Sequence, residues 1–233
     1  MNICVIPARG GSKRIPRKNI KAFHGKPMIA WSIEAAIKSD CFDKIICSTD
    51  DEQIADVAKK YGAETPFLRS ASLSDDYTGT IPVIRHAIEY LQKHGEENIN
   101  LACCIYATAP FITPNDIQLG LEKIRSGNVN YCFSVTSYPF PIQRSIHITK
   151  EGRCEMLQPE MFETRSQDLE EEFHDAGQFY WGKSAAWLSG KVIFSRDSIP
   201  HILQRHRVQD IDTPEDWKRA EIMFSIMRKD SPI

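Results

Sequence analysis

At 233 residues the chain is long enough to bury the core of one large α/β domain, with or without an insertion. Hydrophobic residues make up 42% and charged residues 26%, as in a folded globular protein. The formal net charge of −2 gives no reason to expect nucleic acid or a membrane surface as a partner. The charge is unevenly placed, however. Arg9, Lys13, Arg14, Arg17, Lys18, Lys21 and Lys26 all precede the first acidic residue, Glu34. They follow an apolar run directly, which suits a loop that binds an anion better than a solvated basic arm.

The seven cysteines are odd in number, scattered and free of C-x-x-C spacing, and several fall in strand-like runs. That argues for buried free thiols in a reducing compartment and against a zinc knuckle or a disulfide framework. The apolar start Ile3–Ile6 is too short for a signal peptide, and no run approaches the roughly 18 apolar residues of a membrane helix. A cytoplasmic location is the expectation.

Strands and helices alternate along the chain. Asn2–Ile6 reads as a strand, followed by a basic loop with glycines and a helix over about Pro27–Ser39. Lys44–Thr49 reads as a strand, and Asp51–Tyr61 as a helix with Ile54, Val57, Ala58 and Tyr61 on one face. Ile81, Ile84, Ile88 and Leu91 give another helical stripe, while Leu101–Thr108 and Tyr131–Thr136 read as strands. Thr113-Pro114-Asn115-Asp116 and Thr213-Pro214-Glu215-Asp216 are matching helix starts: Thr at the N-cap, Pro next and a carboxylate in the first turn. Such alternation predicts an α/β fold with a mostly parallel sheet flanked by helices, its ligands at the carboxyl ends of the strands. Residues 137–183 break the rhythm. They read as an insertion within a single domain spanning 1–233, a β-rich arm suited to self-association.

Two patterns carry chemistry. In Ile6–Asn19 a strand runs into a loop with two glycines, a hydroxyl, several cations and an Asn, the composition of a phosphate-binding loop. It matches neither G-x-x-x-x-G-K-[ST] nor G-x-G-x-x-G. In Asp210-Ile211-Asp212, two carboxylates spaced by two on an extended segment point the same way and suit a hard cation such as Mg²⁺, with Mn²⁺ as an alternative. The same pattern before a helix also serves as capping and solvated charge.

The start Ile-Pro-Ala-Arg-x-x-Ser-Lys-x-x-x-x-Lys-Asn resembles the nucleotide-binding loop of the CMP-sialic acid synthetase family. The likeness continues in order through Cys47–Asp51, Arg69 with Leu73–Asp76, Thr108-Ala109-Pro110 and Gln209–Thr213, and so spans nearly the whole chain. The resemblance implies a Rossmann-like nucleotidyltransferase fold with an inserted dimerisation arm. It also implies transfer of CMP from CTP to a nonulosonic acid. By resemblance, Arg9, Ser12, Lys13, Lys18 and Asn19 hold the CTP phosphates, with Ala8 and Gly10 in the same loop. Arg69, Thr78 and Thr80 fall near the cytosine and ribose, although the family usually has small residues and serines at the last two places. Arg9 and Lys18 would stabilise the leaving pyrophosphate, and Asp210 and Asp212 would hold the metal.

The sugar acid would meet Tyr106, Thr108, Ala109, Arg165, His174, Asp175, Gln178, Phe179 and Tyr180. Phe179-Tyr180-Trp181 is equally readable as core, and Arg144 is an alternative to Arg165 for the sugar carboxylate. Sialic acid enzymes carry Gln and Ser where this chain has Tyr106 and Ala109, and Arg-x-Asn-Gly-Ala-Ile-Tyr where it has His174–Gly182. These departures are similar to the branch acting on pseudaminic acid. Activation of N-acetylneuraminic, legionaminic or ketodeoxyoctonic acid is the alternative, and a non-catalytic nucleotide-binding protein a further one. No nucleic acid or membrane partner is expected, and a homodimer is.

Overall fold

The computed structural model describes residues 1–96 and 98–230, the side chains of 229 and 230 aside. In chain order the elements are β1 (Asn2–Pro7), β2 (Ala22–Phe23), β3 (Lys26–Pro27), α1 (Met28–Ser39), β4 (Lys44–Ser48), α2 (Glu52–Lys60) and α3 (Thr80–Lys93). There follow β5 (Leu101–Ile105), α4 (Pro114–Ser126), β6 (Tyr131–Ser137), β7 (Ile146–Ile148) and β8 (Cys154–Met156). The last are β9 (Phe173–Lys183), α5 (Ser184–Ser189), β10 (Ser198–Ile202) and α6 (Pro214–Asp230).

Six strands form the central sheet in the order β10-β6-β9-β5-β1-β4. β1 runs parallel to β4 and β5, and β10 parallel to β6, while β9 is antiparallel to both its neighbours. Alternation of side chains across the pleat splits the core in two. Cys4, Ile6, Cys103, Ile105, Phe179 and Trp181 face α1, α2 and α4. Ile3, Val5, Ala102, Cys104 and Tyr180 face α3 and α5. A third cluster packs α6, through Trp217, Ala220 and Phe224, onto Phe23, Met28 and two loop residues, Ile15 and Ile211. It ties the basic loop to the segment that holds Asp210 and Asp212.

The helix starts obey the expected chemistry. Thr113 Oγ1 accepts the Asp116 N–H while the Asp116 carboxylate accepts the Thr113 N–H. Thr213 and Asp216 repeat this arrangement at α6. Asp51 caps α2 by accepting the Ile54 N–H.

The insertion is shorter than the sequence predicts. Residues 173–183 are not part of an arm: they form β9, between β5 and β6 in the sheet. Burial on both faces explains why no period-2 pattern marks this strand. What projects is residues 138–172, which carry the β7–β8 hairpin and short 3₁₀ turns. Phe140, Ile146, Ile148, Leu157 and Phe162 are all exposed there. All seven cysteines are free, five of them buried. Among the described residues, no helix is long and apolar enough to cross a membrane.

Candidate active site

The chain passes from β1 through α1 to β4 on one side of β1, then returns through α2 and α3 to β5 on the other. That reversal opens a crevice at the carboxyl ends of β1 and β5. A cavity of about 530 Å³ lies there. Its walls are the basic loop (Arg9, Ser12, Lys13, Arg14, Lys18, Asn19), the 69–80 segment (Arg69, Asp75, Asp76, Thr78, Thr80), the exit of β5 (Tyr106, Ala107, Thr108) and Asp212.

The loop is held from beneath. Ile15 is buried in the α6 cluster, and the buried Asn19 side chain donates to the Arg9 carbonyl at 3.0 Å. Arg17 adopts φ 57° and forks onto Asp51 at 2.5 and 3.0 Å. That fork, opposed by burial, holds the Asp51 carboxyl below its ordinary range. Gly10 has a different role from the one expected of a phosphate-loop glycine. Its N–H is taken by Asp50 at 2.9 Å, and a Cβ there would lie 2.8 Å from Asp51 Oδ2. The glycine lets the loop lie against the start of α2.

The cations facing the cavity are balanced by carboxylates. Asp76 accepts Lys13 and Arg9, which together hold its carboxyl below the usual range. Asp212 accepts Arg14 at 2.7 Å and Lys18 at 3.1 Å, and Lys18 also donates to the Ile211 carbonyl. Arg69 is 6% exposed, and its Nε donates to Ser74 Oγ at 3.1 Å. Burial, offset in part by Asp50, lowers its pKa; the cost of that desolvation favours an acceptor in the cavity. Arg, Lys and a buried guanidinium around one crevice make a polyanion site.

Beyond the cations lies a polar layer. Tyr106 lines the cavity with its hydroxyl 2.8 Å from Thr80 Oγ1, and burial pushes its pKa up to about 12, so it remains a hydroxyl. Behind it the Tyr180 ring lies 5.4 Å away, its hydroxyl donating to Asp175 at 2.5 Å. Burial first, and Tyr106 and Asp175 next, push the Tyr180 hydroxyl far up.

The carboxylate pair fits a hard cation by its donor chemistry. Asp212 lines the cavity, whereas Asp210 is exposed and lies off its wall; partial desolvation, then the neighbouring charge of Asp212, raises the Asp210 pKa, which a divalent ion would relieve. Among the described residues, no three His, Cys, Asp or Glu side chains group as a metal site.

A family model described as Cytidylyltransferase matches residues 3–231. The chain belongs to the cytidylyltransferase family. It is 45% identical over 225 residues to a pseudaminic acid cytidylyltransferase of Campylobacter jejuni subsp. jejuni serotype O:23/36, covering 97% of each chain. It is 34% identical to a CMP-N,N'-diacetyllegionaminic acid synthase of Legionella pneumophila subsp. pneumophila, covering 96% of each. Its fold is similar to that of CMP:2-keto-3-deoxy-manno-octonic acid synthetase in complex with CTP, with TM-score 0.71 over 97% of this chain and 99% of the other, at 14% identity.

Several residues expected at the site of this cytidylyltransferase lie elsewhere. Ala8 is buried, its N–H on the Ser48 carbonyl, and Ala109 is buried just past the cavity wall. Phe179 is fully buried on the opposite face of the sheet, against His201, because alternation sends it away from Tyr180. Gln178 is buried and donates to the Arg207 carbonyl at 2.6 Å. His174 bonds the Asp175 carbonyl beside Tyr138. Arg165 sits on the projecting arm paired with Asp168, and Arg144 there donates to the carbonyls of Phe162 and Thr164.

Asp50, Asp51, Asp75 and Asp76 fall in the family's order along the sequence, but nothing in the motifs assigns them a role. For Asp51 a signal existed: a carboxylate three residues before Ile54, at the start of a helical stripe. A larger groove of about 930 Å³, lined by Trp31, Phe111, Met223 and Met227, lies between α1 and α6 and away from the basic loop.

Proposed function

We propose that this chain transfers CMP from CTP to the anomeric hydroxyl of a nonulosonic acid, with pseudaminic acid as its substrate, and releases pyrophosphate. The observation that carries the reaction is the crevice itself, where Arg9, Lys13, Arg14, Lys18 and Arg69 converge at the end of β1. The named relatives carry the sugar: 45% identity to the pseudaminic acid enzyme against 34% to the legionaminic acid one. Tyr106 at the cavity wall supports the same choice.

In the reaction the sugar oxygen bonds the α-phosphorus as the bond from that phosphorus to the bridging oxygen breaks. Pyrophosphate departs with the bridging oxygen, and the proton of the sugar hydroxyl passes to solvent water. Arg9, Lys13 and Lys18 bind the phosphates and stabilise the charge on the leaving group, so catalysis is mostly alignment and electrostatics. Asp210 and Asp212 would hold a divalent ion, Mg²⁺ or Mn²⁺, which would supply positive charge to offset that of the phosphates. Arg69 and Thr78 line the nucleotide side of the cavity. Tyr106 and Thr108 line the side toward β9, where the sugar would lie with Asp175 and Tyr180 behind it. The exposed apolar residues of the 138–172 arm support self-association as a homodimer.

The test is pyrophosphate release with CTP and Mg²⁺, offering pseudaminic, N-acetylneuraminic and legionaminic acids in parallel. Turnover of pseudaminic acid alone, lost in Asp210→Asn, is the expected result. Turnover of N-acetylneuraminic acid instead would move the substrate to another branch, and silence with all three would sink the reaction.

A further inference from the structure

The segment that carries Asp210 and Asp212 has no regular secondary structure, yet it is fixed at both ends. Downstream, Asp216 accepts the N–H groups of Asp212 and Thr213 at 3.2 and 2.8 Å, so the start of α6 holds that end. Upstream the fixture is Arg207. Its guanidinium forks onto Asp116 at 2.8 and 3.0 Å, and its backbone carbonyl takes the Gln178 side-chain amide at 2.6 Å. Asp116 is itself immobile: its side chain is 4% exposed, it belongs to the capping box of α4, and His201 approaches it at 3.4 Å. Arg207 is thus held through its side chain by α4 and through its backbone by β9, three residues before Asp210.

A buried, charged fork of this kind costs desolvation and is a poor stabiliser compared with an apolar contact of equal size. What it supplies is a fixed distance and direction. Neither Asp116 nor Gln178 lines the cavity of about 530 Å³, so neither meets the nucleotide there.

We propose that Asp116, Arg207 and Gln178 are positioning residues that hold Asp210 and Asp212 in register for the divalent ion bound with CTP. The proposal rests on the reading of Asp210 and Asp212 as the metal carboxylates. Groups that orient metal ligands from behind set affinity for the ion without touching it. Gln178 thereby takes a part in the site that does not require contact with the sugar.

The experiment uses the full chain and reads the advantage that Mg²⁺ gives to CTP binding. CTP is titrated calorimetrically into the protein with EDTA and again with Mg²⁺, and the ratio of the two dissociation constants is compared among variants. Asp210→Asn sets the value of that ratio without the metal carboxylate. In Asp116→Asn and Arg207→Met the ratio is expected to fall by roughly 10- to 100-fold toward the Asp210→Asn value. The EDTA constant should stay within about twofold of wild type, as for an independent site. Arg207→Lys, which keeps the charge but not the fork, should restore part of the ratio.

A ratio unchanged in folded Asp116→Asn and Arg207→Met overturns the proposal, and so does an equal loss with and without Mg²⁺. If those variants do not fold, Gln178→Met removes the second tie to Arg207 and decides on the same criterion. If wild type and Asp210→Asn share one ratio, the metal assignment falls, and the positioning role with it.

Discussion

Lys18 is the residue at which the two halves of the crevice meet. It leaves the basic loop, is 16% exposed, and donates both to the Ile211 carbonyl and to Asp212. Asp76 takes Arg9 and Lys13 in the same way from the other side. A triphosphate bound in the crevice as proposed would exchange with carboxylates for the same cations. Exposed pairs such as those of Asp76 are cheap to break, whereas a half-buried ammonium is a durable donor. Lys18→Met should lower kcat/KM for CTP by about 10- to 100-fold, the worth of one charged hydrogen bond at about 1.5–3 kcal/mol. Steady-state pyrophosphate release checks it, and a change below about threefold, under 1 kcal/mol, would remove Lys18 from the phosphate site.

At the scale of elements, what could be read in the chain was what is local. Thr113 and Thr213 each cap a helix with a carboxylate three residues on, because four consecutive residues suffice to make that turn. The basic loop is legible for the same reason. β9 was not: Phe173–Lys183 holds two glycines, a Gln and an Asp, and its neighbours β5 and β6 are distant in sequence. Ser134 Oγ accepts the N–H groups of both Gln178 and Phe179, next to the irregular register between Phe133 and Val135. Only the assembled sheet decides that Phe179 turns to the core while Tyr180 turns toward Tyr106.

Gly182 shows the same dependence on packing, since a Cβ there would lie 2.3 Å from Trp187 Nε1 and 2.7 Å from Tyr131 Cδ1. Both rings are fully buried, and the Trp187 N–H is committed to the Ala102 carbonyl. Gly182→Ala should cost about 1–3 kcal/mol of stability by overpacking, read from urea midpoints. No loss would mean that the two rings can yield.

The join between α4 and the 205–212 segment makes a further prediction at this scale. Burial opposes ionisation of Asp116, yet hydrogen bonds from His201, Arg207 and Thr113 outweigh it and hold the carboxyl well below the usual range. A carboxylate depressed in the fold stabilises above its unfolded pKa of about 3.9, and that contribution fades only as pH falls through the folded value. Asp116→Asn should therefore destabilise the protein by about 3 kcal/mol at pH 7, as for a broken buried pair. The difference in melting temperature from wild type should hold constant down to about pH 4 and narrow only below it. A difference that vanishes near neutral pH would mean that the Asp116 carboxylate is not its source.

For the whole molecule, the 138–172 arm is the part whose surface a monomer does not explain. Phe140 is 79% and Ile148 74% exposed, and Leu157 and Phe162 are exposed as well. Scattered apolar side chains on a surface need no partner, but several on one projecting segment mark a contact. A stable pair of subunits needs roughly 1,200–2,000 Å² of buried surface, more than a short hairpin offers alone, so the arm would have to lie along the body of a second copy. A few residues carry most of the energy of such contacts, and a charge placed among buried apolar side chains is costly to bury. On this reading wild type should sediment as a dimer and the double variant Phe140→Asp with Ile148→Asp as a monomer, with an unchanged urea midpoint because neither side chain belongs to the core. Wild type that sediments as a monomer across micromolar concentrations would end the self-association reading. A variant that remains dimeric would place the contact elsewhere on the molecule.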